Sequence, residues 1–200
     1  ETGTEAWVAH HGDGRVAYVR HPENRGLAAA RNTGLRLAEG ELVAYLDDDN
    51  EWLPTSVERR VEALRTLDDA ALRRLGVVYC GVEVRVAGGT DVYAHLRPRN
   101  RGSLKEAIVR DGPATLPSAC LFSKAALERV GGFDKDLPSS VDHDIWMALA
   151  AAGYEAHAVD EPLVVSYASG DGRMTTATTP RIQGVRMFLE KWSATNREWL

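Results

Sequence analysis

The 200-residue sequence has no stretch near the roughly 18 uninterrupted apolar residues that a membrane span requires. It also shows no basic leader followed by an apolar run, so it carries no export signal and reads as cytoplasmic. Cysteine is scarce. Cys80 and Cys120 lie far apart, each within an apolar run, with no cysteine or histidine close enough to give zinc spacing. Buried free thiols are the expectation rather than a disulfide. Nor is there a surplus of positive charge. Lys and Arg total 24 against 29 Asp and Glu, interspersed, for a formal net charge of −5. The basic face of a nucleic-acid binder is missing. Internal repeats and low-complexity tracts are absent as well.

What is present is ordinary globular composition, 44% apolar and 26% charged, at the size of one domain. The chain opens at Glu1 and runs directly into a helix from Thr4 to His10, stopped by Gly12. A βαβ unit needs a strand ahead of such a helix, so the expectation is one domain over residues 1–200 lacking its first strand. Arg15 to Arg20 alternates like a strand. Leu27 to Ala38 reads as a helix ended by Gly40, and Glu41 to Leu46 as a compact apolar strand of the parallel, buried kind.

Pro54 opens a helix to about Leu67. Gly76 to Val86 is a long strand, and 87–112 reads as irregular around a short helix near Lys105. Ser118 to Ser123 is strand-like, Lys124 to Val130 helical, and His143 to Ala152 helical again. Strands follow at Glu155 to Val159 and Leu163 to Tyr167, and residues 180–200 form an amphipathic C-terminal helix. Alternating helices and strands imply an α/β/α three-layer sandwich with a mainly parallel mixed sheet, whose ligands gather at the carboxyl ends of strands.

Asp47, Asp48 and Asp49 sit at such an end. Three adjacent carboxylates repel one another and call for a compensating cation. Magnesium is typically held by one or two carboxylates plus substrate phosphates. Asp47 and Asp49 would face one ligand, with Asp48 turned away or bracing the loop. An EF-hand loop is excluded, because its sixth position is Trp52 instead of glycine. The competing reading is a solvated acidic turn ahead of the next helix, with Asn50 or Glu51 as its cap.

The segment His21-Pro22-Glu23-Asn24-Arg25-Gly26-Leu27-Ala28-Ala29-Ala30-Arg31-Asn32, followed by Ala44-Tyr45-Leu46-Asp47-Asp48-Asp49, resembles the core of the family 2 glycosyltransferases of the GT-A fold. There an Asn-x-Gly-x-x-x-Ala-Arg-Asn segment precedes an apolar strand and a D-x-D motif. The resemblance implies that Gly26, Ala30, Arg31 and Asn32 shape the nucleotide pocket. It further implies that Asp47 contacts the donor and Asp49 holds Mg2+ or Mn2+, Asp47 assisting.

Gly131-Gly132-Phe133-Asp134, then Val141-Asp142-His143-Asp144-Ile145-Trp146, also looks like the family. Asp142 aligns with its catalytic base, although the usual preceding glutamate is Val141. Asp144 is the competing candidate, and either aspartate could instead be a helix N-cap. A base is needed because an acceptor hydroxyl must lose its proton as it attacks the anomeric carbon.

Many members carry a metal-binding histidine after the last strand. This sequence has Ser169-Gly170-Asp171-Gly172-Arg173 there, where Arg173 would pair with the leaving diphosphate. Gln183-Gly184-Val185-Arg186 only approximates the Q-x-x-R-W signature of processive synthases. The partners implied are a nucleoside-diphosphate sugar and a saccharide, lipid-linked or small-molecule acceptor. The alternative is a non-catalytic domain that binds a nucleotide sugar or a partner.

Overall fold

The computed structural model describes residues 3–86, 89–98, 101–111, 116–168 and 178–195. The element order begins α1 (Gly3–His11), α2 (Gly26–Leu37), β1 (Leu42–Ala44), β2 (Asn50–Trp52), α3 (Ser56–Leu64), α4 (Asp69–Arg74) and β3 (Leu75–Val86). It continues β4 (Val92–Leu96), β5 (Gly102–Ser103), α5 (Leu104–Asp111), a 3₁₀ turn (Pro117–Ala119), β6 (Cys120–Ser123) and α6 (Lys124–Arg129). Last come α7 (Val141–Ala151), β7 (Glu155–Ala168) and α8 (Thr178–Thr195).

One mixed sheet carries the strands in the order β1-β6-β3-β7-β2, with β4 added to β3 and β5 to β7. Among the described residues only β3 and β7 run parallel; every other pairing is antiparallel. The mainly parallel character expected from the apolar runs is corrected accordingly. Those runs report burial on both faces, and helices covering both faces produce it whatever the strand direction. β3 shows this plainly, its first eight residues all being buried.

Along β3 the side chains alternate between two cores. Val77 and Tyr79 join the larger core with α2, α6, α7 and α8, whereas Val78, Cys80 and Val82 join the smaller one, against which residues of α3 pack. Cys120 belongs to the larger core and Cys80 to the smaller, so the two buried thiols lie on opposite faces, both free. Burial pushes the Cys80 thiol up to about 11, which leaves it protonated and inert.

Several expected elements take different forms. Arg15 to Arg20 is not a strand. Alternation supplies two faces, but a strand also needs a ladder with a neighbouring strand, and no ladder among the described residues includes this segment. Residues 155–168 form one strand instead of two, kinked where its register shifts near Pro162, which has no N–H to give. The stretch taken as irregular contains β4 and β5, which attach to longer strands. Asn50 and Glu51 are not helix caps; they pair with Ser166 and Val165 of β7.

Candidate active site

Arg31 is where the two acidic clusters meet. It sits on the inner face of α2, which buries Ala28, Ala29, Arg31 and Leu35, and only 5% of its side chain is exposed. Its Nη2 donates to Asp47 Oδ1 at 2.9 Å, and its Nη1 donates to Asp142 Oδ1 in a close contact. One planar guanidinium thus spans the end of the β1 segment and the first turn of α7. Phe133 and Tyr45 wall it in, their ring centres 5.2 and 6.0 Å from the guanidinium carbon.

Burial opposes the Arg31 charge, but the Asp142 and Asp47 carboxylates outweigh it and raise its pKa above the ordinary arginine value. Burial also pushes the Tyr45 phenol up to about 12, with the Arg31 charge opposing it, so Tyr45 is a neutral wall at physiological pH. The surface helix charge that α2 would otherwise present at position 31 is therefore a buried, doubly paired cation.

The aspartate run is a turn. Asn50 N–H donates to Asp47 O at 3.1 Å, and Asp48 and Asp49 stand exposed between them. Asp47 is turned inward, 25% exposed. Behind the turn lies Ser118, fully buried. Its hydroxyl accepts from the Asp47 amide at 3.0 Å and from Asn50 Nδ2 at 2.9 Å, and its carbonyl accepts from Trp52 Nε1 at 2.7 Å. Among the described residues no three His, Cys, Asp or Glu side chains form a metal cage.

The structure does not bring every sequence candidate to this point. Asn32 is a latch: its Nδ2 donates to Phe133 O at 2.7 Å and its Oδ1 accepts from Phe133 N at 2.8 Å. Gly132, at φ +74°, makes room for it, since a Cβ there would lie 2.5 Å from Asn32 Oδ1. With both ends of its amide engaged by backbone, Asn32 holds α2 against the Gly-Gly-Phe turn and does not face Asp47.

Asp144 likewise points elsewhere. It is 2% exposed and accepts from Trp192 Nε1 at 2.8 Å and from Lys191 Nζ, both on α8. Neither Asp142 nor Asp144 is a helix cap, because Ser140, at φ 65°, occupies that position. α8 approaches this loop so closely that a Cβ at Gly184 would lie 2.1 Å from Ser139 Oγ. Arg173 and Asp171 lie outside the described residues. Gly26 and Ala30 line a cleft of about 790 Å³ between α2 and residues 17–25, which Arg31, Asp47 and Asp142 do not line.

The model of glycosyl transferase family 2 matches residues 2–131, a span that takes in Arg31, the aspartate run and Ser118. The chain belongs to glycosyl transferase family 2. The uncharacterized glycosyltransferase RP339 of Rickettsia prowazekii is 26% identical over 147 residues, covering 72% of this chain and 44% of that protein. The chain thus spans less than half the length of that relative.

Among solved structures, the Pyrobaculum calidifontis mannosyltransferase PcManGT, in complex with GDP-Man and Mn2+, aligns at a TM-score of 0.60 and 23% identity. It covers 97% of this chain and 50% of its own. Staphylococcus aureus TarS 1-349 in complex with UDP-GlcNAc aligns at 0.65 and 14% identity, covering 97% of this chain and 60% of its own. Both similarities extend past the family model and through α7, so the mixed α/β sheet of this family 2 chain is of the GT-A kind.

Proposed function

We propose that the chain transfers a sugar from a nucleoside-diphosphate donor to an acceptor hydroxyl, with inversion at the anomeric carbon. The observation that carries this reading is the Arg31 bridge, which sets Asp47 and Asp142 on either side of one buried cation. Family 2 membership and the donor-bound fold relatives support the same chemistry.

Asp142, 35% exposed on the first turn of α7, takes the proton of the acceptor hydroxyl as that oxygen attacks the anomeric carbon. The bond from that carbon to the diphosphate oxygen breaks in the same step, which inverts the centre. Arg31 orients Asp142 and keeps Asp47 on the donor side. Asp48 braces the turn and Asp49, with Asp47, would hold Mg2+ or Mn2+. When bound, the ion neutralises charge on the departing nucleoside diphosphate. Arg173 pairs with that diphosphate in the same reading.

The test is a donor screen reading nucleoside-diphosphate release with and without Mn2+. Release is expected to depend on the metal and to be lost in Asp49→Asn. Metal-independent release at the wild-type rate in that variant would sink the assignment.

A non-catalytic donor- or partner-binding domain is the second reading, favoured by Val141 standing where the family usually has an acid. That reading predicts metal-dependent donor binding with no release.

A further inference from the structure

Three polar contacts from the aspartate turn converge on one fully buried residue outside the acidic clusters. Ser118 occupies the 3₁₀ turn just ahead of β6, where Pro117 fixes the backbone and Ala119 N–H donates to Leu116 O at 2.9 Å. Its hydroxyl accepts from the residue that opens the turn, through the Asp47 amide, and from the residue that closes it, through Asn50 Nδ2. Its carbonyl holds the Trp52 indole two residues further on.

Trp52 is in turn backed by Arg60, whose guanidinium carbon lies 5.3 Å from the Trp52 ring centre. Arg60 is fully buried and donates to Ser56 O and Ser56 Oγ, and among the described residues its Nη1 has no hydrogen-bond partner. The indole thus has this buried guanidinium beside its ring and the Ser118 carbonyl accepting its N–H.

We propose that Ser118 is a positioning residue for the aspartate run: by clamping both ends of the turn it fixes where Asp47 and Asp49 present their carboxylates. Without the hydroxyl, the Asp47 amide and the Asn50 amide lose their shared acceptor while the apolar packing around position 118 stays nearly intact. The turn then samples several geometries, and a metal–diphosphate pair must select one of them at a cost in affinity. Nothing in this role touches Asp142, which is held from the α2 side. The inference rests on the reading of Asp47 and Asp49 given under Proposed function.

Calorimetric titration of the purified chain with Mn2+ plus UDP or GDP tests it, alongside thermal melting. Ser118→Ala is expected to weaken the Mn2+–diphosphate Kd by about tenfold, with the melting midpoint within a few degrees of wild type. A Kd within about twofold of wild type, or a lowered midpoint with unchanged Kd, overturns the role. Trp52→Phe removes the indole N–H together with the pyrrole part of the ring and is expected to weaken binding about threefold, deciding the matter should Ser118→Ala fail to fold. An unchanged Kd in Trp52→Phe then overturns it. No binding by the wild-type chain sinks the underlying site assignment instead, so the two failures are distinguishable.

Discussion

Asp142 and Asp144 are two residues apart on the first turn of α7, yet they meet different neighbouring helices. Asp142 is 35% exposed, meets Arg31 from α2 and remains open to a ligand; Asp144 is 2% exposed and is closed off by Lys191 and Trp192 of α8. The residue type and its local helix are the same for both. What differs is the neighbouring helix, and that decides which carboxylate has room for chemistry and which is spent on packing. The cluster therefore divides into an α2 side, to which the proposed base role falls, and an α8 side that anchors.

Exchanging each aspartate for asparagine tests the division most directly. Asp142→Asn should lower turnover by about a thousandfold while leaving metal–diphosphate binding within a few-fold of wild type. Its stability should change by no more than about 1 kcal/mol, because the amide oxygen still accepts from Arg31. Asp144→Asn should do the reverse, costing about 2 kcal/mol in chemical denaturation while the folded fraction retains most of its turnover. Equal loss of turnover in both variants would erase the distinction.

Lys191 gives a smaller, pH-dependent handle on the anchoring side. Burial works against ionisation of Asp134, but the Lys191 hydrogen bond prevails and holds its carboxyl below the ordinary value. The folded-state pKa being the lower one, the stabilisation is complete above the unfolded value of 3.8 and is lost as pH falls through the folded value. Lys191→Met should cost about 1 kcal/mol near neutral pH and flatten this acid limb in denaturation curves. A limb of unchanged steepness would remove Asp134 from the anchor.

The smallest expected effect belongs to the loop that both sides share. Ser140 holds a left-handed backbone immediately before α7. Ser140→Gly should relieve that strain and raise stability by about 0.5 kcal/mol, the greater freedom of glycine in the unfolded chain offsetting part of the gain. Any loss of turnover in this variant would show that the rigid entry into α7 helps to aim Asp142.

Much of this arrangement is legible in the residues. The Ala-rich run of α2, the apolar strand before Asp47 and the Gly-Gly pair before Phe133 each announce themselves, because helix propensity, burial and positive φ act on neighbouring residues. Arg31 and Asp142 are legible as candidates through the family pattern, but the bridge between them is not. Their contact spans 111 residues, and no local period encodes it. Asn32 reads as part of the nucleotide pocket through the family pattern, and its latch to Phe133 shows only in the structure. The hold of Ser118 on the aspartate turn is not legible either, because its bonds to Asp47 and Asn50 span 71 and 68 residues.

The sequence by itself determined most of the helices and the longer strands, where the acids are concentrated and which family the chain resembles, though α4 (Asp69–Arg74) is not among them. All of these depend on residue type and short-range spacing. The tertiary structure alone decided strand direction, the place of 15–20 outside the sheet, and the different surroundings of Asp142 and Asp144. Those outcomes depend on which distant backbone edge or side chain arrives as a partner. A strand without a neighbour is not a strand, and a carboxylate is a candidate base or an anchor according to whether Arg31 on α2 or Trp192 on α8 comes to meet it.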